Sequence, residues 1–210
     1  MRANALAGHF LLVSLPLLGL LALVLGIFGS EDQAMLAFRE HKNTHLVLQK
    51  AVRLFTDWGN QAMYLPFLVI LGLALRDRDR RSRRFVIAYV VAQVLVCLVL
   101  LHLTKMALGR PRPEAFTALH RPMTLDSYFH SLPSGHTAEI TGSCLALALW
   151  LGRARWALAL GLYVALMGFS RVYLFQHYPS DVFFGWMFGA VSGFAAYTFG
   201  TSKEGPPGHG

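Results

Sequence analysis

Charged side chains are scarce in this chain. They make up 14% of its 210 residues, whereas 55% are hydrophobic. Soluble domains carry roughly a quarter charged residues, so the composition argues against a compact water-soluble domain. Cysteine is also rare. Cys97 and Cys144 both fall inside apolar runs, which predicts buried small side chains and gives no support to a disulfide framework. The chain contains no internal repeat.

The few charges are mostly positive, with a formal net charge of +8. In a soluble protein this excess would suggest a nucleic-acid partner. Here the basic residues lie mainly in short gaps between apolar runs, and six of the nine residues of "RDRDRRSRR", 76–84, are arginine. The positive-inside rule explains this distribution better, so we expect a cytoplasmic loop and no nucleic-acid partner.

Apolar runs dominate the rest of the chain. A membrane-spanning helix needs about 17–25 mostly apolar residues. The first run has only Arg2 as a basic flank and no convincing cleavage site, which favours a retained helix over a signal peptide. The sequence predicts an all-α integral membrane bundle of six transmembrane helices in a single domain, 1–200. An amphipathic helix at 31–58 and a disordered tail at 201–210 complete the prediction. The six predicted segments are 9–29, 61–75, 85–104, 135–151, 156–169 and 182–200.

Placing the arginine loop in the cytoplasm determines the remaining topology. Both termini and the "GRAR" turn, 152–155, then also lie in the cytoplasm. The polar regions 105–136 and 170–181 lie on the opposite face. Two polar regions at one face of a helical bundle predict a site built from both.

The first polar region begins with "KMALGRPRP", 105–113. Gly109 and the prolines after it interrupt a regular helix, so the chain can turn back and bring Arg112 towards Lys105. The alternative for this motif alone is a set of interface anchors, because basic residues at helix ends usually have that role. Arg110 is interpreted as such an anchor.

The motif "PSGH", 133–136, opens the fourth predicted segment. Ser134 is a plausible N-cap, Gly135 permits close approach of a ligand, and the free amides of a helix start favour an anion. An ordinary capped helix start would explain every residue except His136.

The stretch "SRVYLFQHYPSD", 170–181, brings a histidine and an aspartate together. Pro179 predicts a helix start, and Asp181 follows His177 by four residues, which places both on one side of a helical turn. A carboxylate bonded to one ring nitrogen fixes the tautomer and frees the other nitrogen as nucleophile or base. The alternative is an aspartate that stabilises the helix start beside an interfacial histidine.

The combination of the three motifs favours chemistry on phosphate. Lys105, Arg112 and Arg171 supply three cations, which suit a phosphate dianion. Of His136 and His177, one can attack phosphorus and the other can protonate the leaving group. A metal centre is the competing interpretation. The chain lacks the His and carboxylate spacing of zinc sites, and the cation cluster would repel a metal, so we expect neither metal nor cofactor.

The ordered set K-x6-R-P, P-S-G-H and S-R-x5-H-x3-D resembles the signature of the type 2 phosphatidic acid phosphatase superfamily. Here it reads Lys105 to Arg112-Pro113, Pro133-Ser134-Gly135-His136, and Ser170-Arg171 to His177 to Asp181. The similarity is to the bacterial membrane lipid phosphatase branch, such as phosphatidylglycerophosphatase B-like or undecaprenyl-diphosphate phosphatase-like enzymes. The six apolar segments argue against the soluble haloperoxidase branch.

The resemblance implies a catalytic role for three residues. His177 would attack the phosphate to form a phosphohistidine, Asp181 would orient it, and His136 would protonate the leaving group. The implied phosphate-binding residues are Lys105, Arg112, Ser134, Gly135 and Arg171. The implied substrate is a lipid phosphate or diphosphate, hydrolysed at the periplasmic face of a bacterial inner (cytoplasmic) membrane.

Two features lie outside the signature. Glu139 is a candidate for headgroup contact or for tuning His136, and the alternatives are that it pairs with an arginine or faces interfacial water. The loop 114–132 is the expected headgroup discriminator, although ordinary solvated residues are the simpler interpretation of its His120, Arg121, Asp126 and His130. A lipid phosphotransferase and a non-enzymatic anionic-lipid transporter remain alternatives. The oligomeric state stays open.

Overall fold

The regular elements of the protein are helical. The computed structural model describes residues 3–115 and 117–202, and within these residues it contains no strand, which confirms the predicted all-α class. Nine α-helices occur there: α1 (Ala3–Phe28), α2 (Glu31–Thr44), α3 (Leu46–Ala62), α4 (Tyr64–Arg76), α5 (Arg80–Ala92), α6 (Leu101–Leu108), α7 (Gly135–Leu151), α8 (Ala154–Tyr173) and α9 (Pro179–Thr201). A π-helical segment, Gln93–Leu100, joins α5 to α6. Short 3-10 turns lie at Pro113–Ala115 and Ser127–Phe129.

Five helical stretches in the described residues are long and apolar enough to cross a membrane. They are Asn4–Phe28, Leu46–Arg76, Arg80–Ala115, Ala154–Tyr173 and Pro179–Thr201. Large apolar side chains such as Leu23, Ile27 and Leu68 are exposed on their outer surfaces. Exposed apolar surface on this scale is typical of contact with lipid and identifies a membrane protein.

The helix α7 lies at the centre of the bundle. Its bounds coincide with the predicted segment 135–151, and twelve of its 17 residues are buried. At 1.5 Å per residue it is roughly 26 Å long, slightly shorter than a typical hydrocarbon core. Its buried residues are nearly consecutive from Thr137 to Leu149 and so lie on every side of the helix, which means that α7 is enclosed by its neighbours. Cys144 on this helix is buried, and both cysteines are free.

The structure divides the predicted amphipathic segment 31–58 into two helices at His45. Of these two helices, α2 is separate and short. Helix α3 continues through Met63 into α4, so the predicted segment 61–75 is the second half of one longer stretch. Charged residues make α3 less apolar than the other spanning stretches. It nevertheless packs against the bundle, since the ring centroids of Phe55 and of Tyr163 on α8 are 5.7 Å apart. The predicted tail lies outside the described residues from Lys203 onward.

Helix α9 packs against α7 through a stripe of glycines. A Cβ atom on Gly189 would lie 2.3 Å from the Ala138 carbonyl oxygen, and one on Gly185 would lie 2.5 Å from the Ser134 carbonyl oxygen. Small residues four apart are the usual means by which two membrane helices bring their backbones together. The second motif lies at the start of α7, and the third motif ends in the first turn of α9. This close packing therefore brings the two motifs together.

The bundle has two distinct ends. At the arginine end, which comprises residues 76–84 and 152–155, the Arg81 guanidinium lies 5.2 Å from the Trp150 ring centroid. Nε of Arg84 donates to the Phe199 carbonyl there, over 3.1 Å. At the loop end, which comprises α2 and residues 109–115, 117–134 and 174–178, Nζ of Lys42 donates to the Leu174 carbonyl over 3.0 Å. All three motifs meet at the loop end.

Candidate active site

A cavity of about 460 Å³ opens at the loop end of the bundle. It unites residues from all three motifs with residues of α4 and the π-helical segment. The lining residues are Tyr64, Gln93, Val94, Cys97, Leu98, His102, Lys105, Arg112, Gly135, His136, Glu139, Arg171 and His177. Ser134 and Asp181 lie behind this lining and are fully buried.

The first motif enters the cavity because α6 ends in a tight turn. Gly109 has a left-handed φ of 54°, which glycine adopts without steric cost, and a Cβ atom there would meet the Arg121 backbone at 2.2 Å. The chain then turns back, and the Arg112 amide donates to the Tyr128 carbonyl over 2.8 Å. Lys105 and Arg112 consequently both face the cavity, as the sequence predicted.

The cations of the cavity are poorly compensated by the protein. Within the described part of the chain, Lys105 and Arg171 form no ion pair, and Arg112 has only a loose contact to Glu114 at 3.8 Å. Nε of Arg112 and Nε of Arg171 are buried without a hydrogen-bond partner. Thr56 Oγ1 accepts from Nη1 of Arg171 over 3.1 Å. Buried donors are normally satisfied, so this arrangement suits an anion bound between them.

The second motif forms the start of α7, as predicted. Ser134 occupies the N-cap position, and its amide donates to the Asp181 carbonyl over 2.9 Å. Its hydroxyl makes no capping bond and instead accepts from Thr137 Oγ1 over 3.0 Å. A Cβ atom on Gly135 would lie 3.6 Å from Nζ of Lys105. A cation and the positive end of a helix therefore meet at one point of the cavity, which favours an anion there.

The third motif extends from the last turn of α8, through the turn 174–178, to the first turn of α9. The chain folds back on itself so that the amides of Gln176 and His177 both donate to the Arg171 carbonyl. Nδ1 of His177 lies 3.5 Å from Oδ2 of Asp181, outside hydrogen-bonding geometry. Burial lowers the pKa of His177 to about 3 despite the nearby Asp181 carboxylate. The imidazole is thus neutral at physiological pH, which is the form that a nucleophile requires.

Asp181 has a set of partners that the sequence did not reveal. Its Oδ1 accepts from Nη1 of Arg110 over 2.7 Å. Its Oδ2 accepts from the Ser131 hydroxyl over 2.5 Å and from the Tyr178 amide over 2.9 Å. Arg110 was interpreted from the sequence as an interface anchor, but its side chain is only 16% exposed and lies against Asp181. The indication in the sequence was that the first motif contains a second arginine, two residues before Arg112.

Glu139 lies in the cavity wall and is paired with an amide. Its Oε2 accepts from Nδ2 of Asn60 over 2.7 Å, and the same nitrogen approaches the His136 carbonyl at 3.3 Å. Glu139 makes no ion pair with an arginine in the described residues. The bond to Asn60 links α3 to α7 beside His136.

The four singled-out residues of the loop 114–132 make contacts within or beside the loop. The His130 ring lies 2.8 Å from the Thr124 carbonyl oxygen, and Oδ1 of Asp126 accepts from the Tyr128 amide over 3.0 Å. The His120 ring lies 3.2 Å from the Leu108 carbonyl, and the Arg121 guanidinium lies 4.8 Å from the Phe129 ring centroid. None of the four lines the cavity.

Together, these observations define a helical membrane protein with a cationic cavity that contains two histidines at one end. The chain belongs to the PAP2 superfamily, whose family model matches residues 64–204. This confirms the resemblance carried by the three motifs.

Three curated relatives are similar to the chain. It is 30% identical over 139 residues to an undecaprenyl-diphosphatase of Sulfolobus acidocaldarius, a match that covers 64% of this chain and 62% of the relative. It is 37% identical over 108 residues to a lipid A 1-phosphatase of Rhizobium johnstonii, with 49% and 43% covered. It is 36% identical over 152 residues to a lipid A 1-phosphatase of Rhizobium etli, with 65% and 64% covered. Each match spans less than two thirds of the relative's own length. No solved structure matches the chain significantly.

Proposed function

We propose that the protein is a membrane lipid phosphatase that hydrolyses the terminal phosphate of a lipid phosphate or diphosphate. The observation that carries this proposal is the cavity in which three poorly compensated cations and a helix start surround His136 and a neutral His177. Charge stabilisation and positioning are the main requirements of phosphoryl transfer. The relatives' names, which specify two lipid phosphates, support the same substrate class.

In the proposed reaction, Nε2 of His177 attacks phosphorus while the bond from phosphorus to the leaving oxygen breaks. His136, which must be protonated when the phosphate dianion is bound beside it, gives a proton to that oxygen, and the product lipid leaves. A water molecule then attacks the phosphohistidine, with His136 taking the water's proton, and inorganic phosphate is released. Asp181 holds Nδ1 of His177 once the present gap of 3.5 Å closes, since catalytic hydrogen bonds are often long in an empty site.

The phosphate oxygens would be bound by four of the five residues that the signature implies. Lys105, Arg112 and Arg171 provide the positive charge, and the Gly135 amide at the start of α7 provides a donor. We propose that Ser134 supports this amide from behind the cavity wall, through its bond to the Asp181 carbonyl. The same cations would repel a divalent metal, so the proposed mechanism needs none.

The apolar wall of the cavity supports a lipid as the carrier of the phosphate. Tyr64 on α4 and Val94 and Leu98 on the π-helical segment line the cavity, and they are 40%, 43% and 56% exposed. A hydrocarbon tail bound beside these residues would remain in contact with the surrounding lipid. Glu139, on the cavity wall near His136, would face the part of the headgroup next to the phosphate.

We further propose that α7 is the sixth membrane span of one domain, 1–200. The arginine end would lie in the cytoplasm, and the site would face the periplasm of a bacterial inner membrane. The concentration of arginine at residues 76–84 and 152–155 supports this orientation.

The proposal is tested by phosphate release from purified protein. The substrates are phosphatidate, phosphatidylglycerol phosphate, undecaprenyl diphosphate and lipid A, each with and without EDTA. We expect free phosphate from at least one lipid, undiminished by EDTA. Loss of activity in EDTA and its recovery with a divalent ion would contradict the metal-free mechanism.

Thin-layer chromatography separates hydrolysis from a phosphotransferase reaction, which would yield a newly phosphorylated lipid. Lipid flux without phosphate release would instead indicate a transporter.

A further inference from the structure

A continuous chain of charged groups connects α2 to His177. Oε1 of Glu31, the first residue of α2, accepts from Nη2 of Arg110 over 2.7 Å. Nη1 of the same guanidinium donates to Asp181 over 2.7 Å, and Asp181 lies beside His177. Along this series of contacts the exposed fraction of the side chain decreases, from 30% for Glu31 to 16% for Arg110 and 0% for Asp181.

The second carboxylate oxygen of Glu31 binds the residue next to Asp181. Oε2 accepts from the Ser180 hydroxyl over 2.5 Å and from the Ser180 amide over 3.3 Å. Nη1 of Arg110 also approaches the Ser180 hydroxyl, at 2.7 Å. Glu31 therefore contacts Asp181 only indirectly, through two partners, and it does not line the cavity.

The far end of α2 contacts the other end of the same turn. Nζ of Lys42 donates to the Leu174 carbonyl over 3.0 Å, and the His41 ring lies 3.1 Å from the Tyr173 hydroxyl. The turn 174–178 is thus bound by α2 at its start, near Leu174, and just after its end, at Ser180.

We propose that Glu31 is a positioning residue for the nucleophile, and that α2 braces the turn that carries His177. A guanidinium is a planar fork, and its orientation is fixed when carboxylates bind its two ends. Without Glu31, Arg110 would keep one carboxylate partner and a poorly satisfied Nη2, and it would rotate away from its present position. Asp181 and His177 would lose their alignment with the phosphate. This inference rests on the proposed phosphatase function.

The test compares two substitutions of one residue. Glu31→Gln keeps the shape but loses the charge and an acceptor oxygen, whereas Glu31→Asp keeps the charge on a shorter side chain. We expect kcat for phosphate release to fall roughly tenfold in Glu31→Gln, with KM unchanged within roughly twofold, because displacements far from the chemistry are sufficient to slow it. Glu31→Asp should recover part of the loss.

The matched control is Asp32→Asn, which makes the same charge change one residue later, at an exposed side chain. It should behave as the parent protein does. Melting temperatures measured in parallel identify any variant that fails to fold. If Glu31→Gln does not fold, Arg110→Lys takes its place, since a lysine keeps the charge but cannot contact both carboxylates at once. It should lower kcat at least as much.

Three results would overturn the inference: parental kcat in folded Glu31→Gln, a smaller loss in Glu31→Gln than in Glu31→Asp, or a rise in KM at constant kcat. The second would mean that only the shape of the side chain matters. If the parent protein itself releases no phosphate, the proposed function is contradicted. The assay of the parent protein alone detects this outcome, so it cannot be confused with the three results above.

Discussion

The two ends of the bundle use arginine in opposite ways. At the arginine end, Arg76 pairs with its neighbour Asp77, and their side chains are 74% and 57% exposed. At the loop end, Arg110 pairs with Asp181, and their side chains are 16% and 0% exposed. Exposed pairs contribute about 0–1 kcal/mol to stability, whereas a buried charge costs several kcal/mol unless it is matched.

This difference indicates which property of the charged residues is important at each end. At the arginine end, we expect the number of positive charges to matter more than individual partners, because the proposed role of these residues is to orient the protein in the membrane. At the loop end, each buried charge has either a specific partner or an open place for a ligand. Substitutions at the two ends should therefore differ by orders of magnitude in effect.

The largest effect is expected for His177→Ala at the loop end. Removal of the proposed nucleophile should reduce phosphate release by at least roughly a thousandfold. The measurement is the initial rate of phosphate release from the best lipid of the panel. His120→Ala, in the exposed loop, is the control and should stay within roughly twofold of the parent rate. Normal release by His177→Ala from every lipid that the parent hydrolyses would rule out the proposed role.

Asp181→Asn should have the next largest effect. An amide cannot replace the charge that faces Arg110, and it leaves the His177 tautomer less well defined. We expect phosphate release to fall roughly a hundred- to ten-thousandfold. The free energy of unfolding should also fall, by about 3 kcal/mol, because a buried ion pair loses one partner. Kinetics and denaturation of the same preparation measure both effects, and unchanged stability would contradict the buried pairing.

A smaller effect is expected from the packing that holds the two motifs together. In Gly189→Ala the new methyl group would overlap the Ala138 carbonyl, so we expect a loss of roughly 1–3 kcal/mol in stability. In Gly72→Ala, the methyl group would have no heavy atom within 4 Å, and stability should be unchanged or slightly higher. Thermal unfolding in one detergent compares the pair. Equal melting temperatures would show that α7 and α9 are less closely packed.

The smallest effect is expected at the arginine end. Arg76→Gln removes an exposed ion pair, so neither the melting temperature nor phosphate release should change measurably. A marked loss in either measurement would remove the distinction between the two ends.

The sequence predicted those features whose signals are local. The start of α7 at Gly135 follows from the "PSGH" motif, and the start of α9 follows from Pro179. The turn at Gly109 similarly follows from a glycine and nearby prolines. In each case a few adjacent residues restrict the backbone enough to define the element.

The sequence did not predict features that depend on distant partners. Glu31 lies 79 positions from Arg110 and 149 from Ser180, so no local pattern indicates their contact. The division of 31–58 at His45 was also missed, because α3 is too polar to resemble a spanning helix until its continuation into α4 is known.

The bond from the Ser134 amide to the Asp181 carbonyl has a mechanical consequence. It links the helix that carries His136 to the helix that begins beside His177, and the glycine stripe links the same two helices below. The two histidines therefore belong to one rigid wall, and their separation should change little as substrates enter and leave. Any widening of the cavity is expected where Tyr64, Val94 and Leu98 line it, since these side chains are exposed.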